Sequence, residues 1–166
     1  MKARFQRTAC AAVLVGVLVA FVSEVVAGDE KALIGSYALT KRATVDGKSL
    51  TGTDVLGFMT FTKTRRTVIM RWSTPDGTPV SIAFIAAYTL SGGQYCENVV
   101  YGVQSNLGAP GVSYDTPTET KACTTAISDA SGLAFDVPGE KLRLRVSRDG
   151  LVATTPRWTD HWDKVK

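Results

Sequence analysis

Glu97 is the side chain in this 166-residue chain that most directly raises a question of chemistry. Strand alternation places it on the same face as Tyr95, Val99 and Tyr101, an apolar face that we expect to point inward. A carboxylate is costly to bury unless it is paired or hydrogen-bonded. Glu97 is therefore either a polar contact or proton-transfer group at the bottom of a pocket, or a residue near the strand end that reaches the rim or pairs with an arginine. The sequence favours the second interpretation.

A second candidate is the pair Asp160 and His161, which lies between Trp158 and Trp162. His161 is the single histidine of the chain, and a catalytic interpretation would make it a general base. Alternation groups Asp160 with the two tryptophans and turns His161 to the opposite face, so the two side chains cannot act on one another. No serine or cysteine nucleophile is placed beside them by spacing. The favoured interpretation is a surface or interface histidine, and no catalytic residue is assigned.

The chain has three cysteines, Cys10, Cys96 and Cys123. Cys10 lies in an N-terminal segment that we expect to be removed, which leaves an even pair. In an exported protein such a pair is more typical of a disulfide than of a metal site, and zinc would need more ligands than this chain offers. We predict a Cys96–Cys123 disulfide, no metal and no cofactor. If the two cysteines face each other across antiparallel strands, Glu97 lies opposite Ala122.

The first 27 residues have the three parts of a secretory signal peptide. Residues 2–7 form a basic head, residues 9–22 are an almost unbroken apolar run, and residues 25–27 offer small side chains to a signal peptidase. The alternative is a membrane anchor, which requires a longer run of about 20 apolar residues. We predict cleavage after residue 27, a periplasmic or secreted location, and no stable membrane span in the mature chain.

Removing residues 1–27 leaves 139 residues, enough for one domain and too few for two. Sixteen basic and fourteen acidic residues remain, a formal net charge of +2. A nucleic-acid-binding protein needs a concentrated basic face. The two basic groups, residues 63–66 and the set Arg143, Arg145 and Arg148, are interpreted as solvated strand ends and outer faces. We therefore predict no nucleic-acid partner.

The elements that must position these side chains are strands. Apolar and polar residues alternate along nine short segments, turn sequences rich in Gly, Pro and Asp separate them, and no mature segment keeps a helical period. A long turn-rich stretch, residues 105–117, is predicted as an irregular loop. The predicted strands cover residues 33–44, 55–62, 66–74, 80–90, 95–104, 118–127, 133–137, 142–146 and 151–162.

Sequential hairpins imply an up-and-down antiparallel sheet, and only closure removes the edges of such a sheet completely. We predict an all-β fold, a single up-and-down antiparallel β-barrel of about 8–9 strands. A sandwich is less favoured, because it usually needs longer crossing connections. A barrel of this size has an interior wide enough for its own side chains or for one small ligand.

Two stretches resemble bacterial lipocalin-like proteins of the calycin type. Residues 33–39, with the sequence LIGSYAL, resemble the Gly-x-Trp motif that opens lipocalins, with Tyr37 at the tryptophan position. The ending RWTDHW, residues 157–162, resembles the Trp-plus-basic endings of bacterial lipocalin-like domains. The resemblance implies that residues 28–166 form a lipocalin-like barrel that binds an apolar or amphipathic small molecule.

In such a barrel Glu97 is the predicted polar contact of the ligand. Arg157 is predicted to cap the barrel end through a cation–π contact with Tyr37 or a tryptophan. Barrel-end closure is assigned to Arg157, Trp158 and Trp162. The predicted ligand-binding residues are Tyr37, Trp72, Phe84, Tyr88, Tyr95, Glu97, Tyr101 and Phe135.

Three functions stay open from the sequence. The leading hypothesis is the binding of a small apolar molecule. The second is the binding of a protein partner. An example is a periplasmic protease inhibitor that contacts its protease through residues 28–32 or 105–117. The third is an isomerase or cyclase that uses Glu97 as acid or base, and it ranks last because one carboxylate without an oriented partner is a thin basis for catalysis.

Overall fold

Residues 31–115 and 121–166, which the computed structural model describes, form a closed antiparallel β-barrel of ten strands with two further strands outside the closed path. The predicted signal peptide, residues 1–27, lies outside the described residues. The strands are β1 (Gly35–Thr44), β2 (Ser49–Thr51), β3 (Val55–Phe61), β4 (Arg65–Ser73), β5 (Pro79–Ser91), β6 (Gln94–Ser105), β7 (Val112–Asp115), β8 (Ala122–Asp129), β9 (Gly132–Asp136), β10 (Arg143–Val146), β11 (Gly150–Thr154) and β12 (Trp158–Lys164).

The barrel is closed by the pairing of its first and last strands. Hydrogen bonding runs from β1 through β3, β4, β5, β6, β8, β9, β10 and β11 to β12, and β12 pairs back onto β1. In that closing pair Tyr37 lies opposite Lys164, and Thr44 lies opposite Trp158. The predicted all-β antiparallel barrel is therefore confirmed.

The predicted number of 8–9 strands is wrong for the described part of the chain. The last predicted strand is in fact two, β11 and β12, because a turn interrupts it at Thr155 and Pro156. Pro156 has no N–H to continue a ladder. Thr155 Oγ1 accepts hydrogen bonds from the backbone N–H groups of Arg157 and Trp158, which stabilises the turn.

Two short strands outside the closed path account for the rest of the difference. β7 lies within residues 105–117, which the sequence predicts to be irregular, and it pairs with the second half of β6. β2 has three residues, too few to show an alternation, and it pairs with β1 beside the closing strand. Both strands are therefore recognised by their hydrogen bonding to a neighbouring strand and not by an alternation of apolar and polar residues.

The two ends of the barrel are built differently. The closed end carries the β3–β4, β5–β6, β8–β9 and β10–β11 turns together with a helical turn at residues 31–33. The open end carries the β4–β5, β6–β7, β9–β10 and β11–β12 connections. In the described ranges, none of the helical structure has the length and apolar character needed to cross a membrane.

An aromatic series fills the closed end of the barrel. The ring centroids of Tyr37 and Phe61 lie 6.3 Å apart, and those of Phe61 and Tyr88 lie 5.7 Å apart, both edge-on. Tyr95 stacks on Tyr88 at 5.5 Å and on Phe135 at 4.0 Å. All five side chains are buried, and such contacts add about 0.5–1.5 kcal/mol each beyond the burial of area. We call these five residues the aromatic plug.

A β-bulge in β6 changes which side chains face inward. The register with β5 shifts by one between Val99 and Tyr101, which leaves Val100 as the extra residue. Beyond the bulge Gly102 lies opposite Phe84 on the inner face, and Tyr101 is 49% exposed on the outer face. The prediction that Tyr101 faces inward is wrong, because strict alternation does not continue past an inserted residue.

Candidate functional site

A cavity of about 480 Å³ lies between the aromatic plug and the open end of the barrel. Barrel diameter grows with strand number, so ten strands leave more interior space than eight would. The volume is within the range of roughly 300–1,000 Å³ that small-molecule sites occupy. The residues that border the cavity are Arg42, Met59, Arg66, Val68, Met70, Trp72, Ile82, Phe84, Leu107, Glu140, Lys141, Leu142, Ala153, Thr155, Pro156, Arg157, Trp158, Asp160 and Trp162.

All three tryptophans of the chain border this cavity. Trp72 lies on β4, and Trp158 and Trp162 lie on β12. Trp162 sits opposite Leu39 of β1 in the pair that closes the barrel. Gly57 of β3 leaves room for its indole, because a methyl group at residue 57 would lie 2.8 Å from the Cη2 atom of Trp162. We therefore expect the fluorescence of all three tryptophans to respond to a molecule bound in the cavity.

Arg42 is buried in the cavity wall and bonded to Asp160. Its Nε and Nη2 atoms donate to the two carboxylate oxygens of Asp160, both at 2.7 Å. Its guanidinium carbon lies 4.2 Å from the ring centroid of Trp158 and 4.9 Å from that of Trp72. Burial raises the pKa of Asp160, and Arg42 opposes that rise. The cation–π contact predicted for Arg157 is therefore made by Arg42, while Arg157 is exposed at the open end.

Arg66 is a second buried arginine, and it pairs with Glu97. Its Nε donates to Oε2 of Glu97 at 2.9 Å and its Nη2 donates to Oε1 at 2.5 Å. The Tyr95 hydroxyl also donates to Oε2 of Glu97. The guanidinium carbon lies 4.7 Å from the ring centroid of Phe84. Glu97 is thus paired with an arginine, which is the interpretation that the sequence favours. The interpretation of residues 63–66 as a solvated strand end is wrong for Arg66, because Arg66 is fully buried.

Glu140, in the β9–β10 connection, is the second carboxylate that borders the cavity, besides Asp160. Its Oε1 lies 3.6 Å from Nη2 of Arg66. Burial raises the pKa of Glu140, Arg66 opposes the rise, and the negative charge of Glu97 adds to it. Arg42 and Arg66 are thus each paired with a carboxylate, and Lys141 and Arg157 add further positive charge at the border of the cavity.

The predicted ligand-binding residues fall into three groups. Trp72 and Phe84 border the cavity. Tyr101 is on the outer face of the barrel. The remaining five are buried toward the closed end and do not border the cavity: Tyr37, Tyr88, Tyr95, Glu97 and Phe135.

The two arginines are cavity residues that the sequence reasoning missed. Arg66 shares its parity with Val68 on β4, so the alternation contained a signal for it. Arg42 had no such signal, because the β1–β12 register shifts between Leu39 and Lys41. This second bulge turns Arg42 to the inner face.

Cys96 and Cys123 form the predicted disulfide. The two residues lie directly opposite one another in the β6–β8 pair, and Glu97 lies opposite Ala122, as the predicted register requires. The bridge is outside the cavity. It joins β8 to the first half of β6, which carries Glu97 and precedes the bulge at Val100.

His161 is exposed and lies opposite Lys41 of β1 and Val152 of β11. The prediction that it faces away from Asp160 is confirmed, since Asp160 is buried. In residues 31–115 and 121–166, no three His, Cys, Asp or Glu side chains are grouped so that they could hold a metal ion.

Comparison with protein-family models gives no match, and a search of curated proteins gives no significant match. Among solved structures, the chain is similar to a lipocalin-like protein from Bacteroides uniformis, at 18% sequence identity and a TM-score of 0.39, over 81% of this chain and 99% of that chain. The barrel follows from the strand pairing of this chain itself, and membership of the lipocalins is not shown.

Proposed function

We propose that this protein is an exported lipocalin-like barrel that binds a small apolar or amphipathic molecule in its cavity. The observation that carries the proposal is the cavity of about 480 Å³, which reaches the open end and is walled mainly by apolar side chains. Removing apolar ligand surface from water against such walls contributes about 25 cal/mol per Å².

The distribution of polarity suits an amphipathic ligand. Met70, Ile82 and Ala153 belong to the wall, whereas the charged Lys141 and Arg157 come from the connections at the open end. A ligand with an apolar body would bury that body among the wall residues. Its more polar end would then lie near the rim.

Export is part of the proposal. The Cys96–Cys123 disulfide supports it, because such bonds persist in oxidising compartments. The signal-peptide pattern of residues 1–27 supports it independently. The periplasm or the extracellular space is the proposed location.

The two other functions have less support. Glu97 is bonded to Arg66 and Tyr95 and does not border the cavity, which is a poor arrangement for an acid or base acting on a bound substrate. In the inhibitor hypothesis a loop within residues 105–117 contacts the protease, but residues 106–111 of that loop are held in place by hydrogen bonds. Asn106 donates to the Pro79 carbonyl at 2.8 Å and accepts from the Gly111 N–H at 2.9 Å.

A fluorescence titration tests the proposal. N-Phenyl-1-naphthylamine, a neutral apolar probe, is titrated into the protein while tryptophan emission and probe emission are recorded. Because Trp72, Trp158 and Trp162 all border the cavity, we expect saturable quenching of tryptophan with a matching rise of probe emission.

A pair of matched variants assigns the binding to the cavity. Ala153→Leu adds volume to a cavity-lining position, and Val152→Leu adds volume to its neighbour, whose side chain points the other way on β11. We expect Ala153→Leu to weaken probe binding about tenfold and Val152→Leu to leave it unchanged. The proposal fails if the parent protein shows no saturable binding and if native mass spectrometry of protein from its own host shows no bound molecule.

A further inference from the structure

Two exposed cations lie at the open end of the barrel, where the cavity meets solvent. Lys141 is in the β9–β10 connection and Arg157 is in the β11–β12 connection, and both border the cavity. Neither side chain forms an ion pair with another residue that the structure describes. Their charges are therefore accessible to a molecule that enters the cavity.

The two arginines deeper in the cavity are not accessible in this way. Arg42 is 4% exposed and Arg66 is fully buried. Each donates two hydrogen bonds to a carboxylate, Arg42 to Asp160 and Arg66 to Glu97. An anion that displaced either carboxylate would leave it buried without its partner, which is strongly unfavourable. An acidic group of a ligand would therefore not bind in the interior.

The carboxylates near the cavity do not balance the cations of the open end. Asp160 borders the cavity but is buried. Glu140 also borders it, and its Oε1 lies 3.6 Å from Nη2 of Arg66, to which its charge is directed. Asp115 of β7 does not border the cavity. Among the described residues, the unpaired charges at the border are thus both positive.

This arrangement favours a ligand with two different ends. An apolar body would be buried against wall residues such as Val68, Met70 and Ile82. An acidic head group would stay at the open end, where it keeps part of its hydration and avoids the cost of burying a charge. The two exposed cations would then lie beside it.

We propose that the ligand is an acidic amphiphile, an apolar body with one anionic head group, and that Lys141 and Arg157 bind this head group at the open end. The inference rests on the proposed function, since it names the ligand class of the same cavity. A carboxylate and a phosphate monoester share this chemistry, and the choice of probes distinguishes them.

Four probes with the same decyl chain test the inference in the full protein by isothermal titration calorimetry. Decanoate and decyl phosphate have acidic head groups, decan-1-ol has a neutral one, and decylammonium has a cationic one. We expect the better of the two acids to bind the parent about tenfold more tightly than the alcohol, and the ammonium to bind most weakly. The tighter of the two acids identifies the head group that the site prefers.

Two matched double variants locate the charges that are responsible. Lys141→Gln/Arg157→Gln removes the cations of the open end, and Lys63→Gln/Arg65→Gln removes two exposed cations beside the β3–β4 turn of the closed end. We expect the first variant to lose the preference for acid over alcohol and the second to keep it. The first should fold, because Thr155 accepts a hydrogen bond from the backbone N–H of Arg157 and not from its side chain.

A measurement on the parent alone does not depend on the variants. Sodium chloride screens interactions between exposed charges. Raising its concentration should therefore lower the ratio of acid affinity to alcohol affinity in the parent, and should leave the ratio of the Lys141→Gln/Arg157→Gln variant near one.

The outcomes separate the two proposals. The inference is overturned, while ligand binding in the cavity stands, if the alcohol binds the parent as tightly as both acids, if the ammonium binds most tightly, if the two double variants behave alike, or if the affinity ratio of the parent does not change with salt. The same holds if N-phenyl-1-naphthylamine binds and none of the four probes does. If that neutral probe does not bind either, the proposed function fails and the inference fails with it.

Discussion

Arg66 and Glu97 are joined across a strand that lies between them. β4 carries Arg66 and β6 carries Glu97, and β5 separates these strands in the sheet. Ala86 of β5, directly opposite Arg66, has the small side chain that such a crossing requires. Because Arg66 is fully buried and Glu97 is 5% exposed, each is the main compensation of the other's charge, and Glu140, 3.6 Å from Arg66, is a more distant second partner.

Replacing Glu97 by glutamine tests this dependence. The variant leaves the Arg66 guanidinium buried without its bidentate partner, so we expect a loss of about 3–5 kcal/mol in the free energy of unfolding. Urea unfolding followed by tryptophan emission measures the change. The matched control is Arg143→Ala, which removes an exposed ion pair with Asp136 and should cost less than about 1 kcal/mol. Parent-like stability of Glu97→Gln would contradict the structural role of the pair.

Arg42→Met should produce a pH-dependent loss of stability. Burial already raises the pKa of Asp160, and removing Arg42 takes away the group that opposes the rise. A raised folded-state pKa means that the folded protein holds the proton more tightly than the unfolded chain. The stability deficit of the variant should therefore be small near the ordinary pKa of 3.8 and should grow as the pH rises toward 7.

Thermal unfolding midpoints of Arg42→Met and the parent between pH 4 and 7 measure that trend. The double variant Arg42→Met/Asp160→Asn removes the titrating carboxylate, so its deficit relative to the parent should not grow between pH 4 and 7. A deficit in the single variant that is constant with pH would show that Asp160 is not the group responsible.

Tyr37→Phe should change the stability of the protein at alkaline pH. Burial raises the pKa of Tyr37 from 10.0 to about 12. Between these values the unfolded chain loses a proton that the folded protein keeps, so the contribution of this group to stability, roughly 2–3 kcal/mol, is present below pH 10 and is lost as the pH rises to 12.

Urea unfolding between pH 8 and 12 checks this prediction. At pH 8 the variant should be slightly less stable, because the Tyr37 hydroxyl donates to the Leu33 carbonyl at 2.9 Å. Its stability should then fall less steeply than that of the parent above pH 10. Tyr101→Phe, which removes an exposed hydroxyl from the outer face, should follow the parent throughout. A variant curve parallel to that of the parent would rule out Tyr37 as a source of the alkaline loss.

The disulfide should contribute measurably to stability. Cys96 and Cys123 are 27 residues apart in sequence, and closing a loop of that length restricts the unfolded chain by about 3–4 kcal/mol on the chain-entropy model. The double variant Cys96→Ser/Cys123→Ser should unfold at a correspondingly lower denaturant concentration. Adding dithiothreitol should lower the midpoint of the parent and leave that of the double variant unchanged, and equal midpoints without reductant would contradict the prediction.

The parts of the structure that follow from sequence are those set by local pattern or by chemistry. The alternation of Val68, Met70 and Trp72 predicts the inner face of β4, and the even pair of cysteines predicts the disulfide and its register. The same alternation contained Arg66, yet its charge led to an interpretation as a solvated end. That interpretation is wrong because Arg66 pairs with Glu97, which lies 31 residues away in sequence.

The parts that sequence did not predict depend on how neighbouring strands pair. The bulges at Thr40 and Val100 have no signature of their own, since each is defined by a shift of register against another strand. The bulge at Thr40 turns Arg42 to the inner face, and the bulge at Val100 places Tyr101 on the outer face of the barrel. Alternation counted along one strand cannot detect either event.

The bulge in β6 also determines which side chains of the second half of the strand face the interior. With Val100 looped out, Gly102 and Gln104 face the interior. If the same residues paired regularly beyond Val99, alternation would give those inward positions to the larger side chain of Tyr101 and to Val103. Removing Val100 would therefore restore a regular alternation along β6 while keeping Gly102 and Gln104 on the inner face.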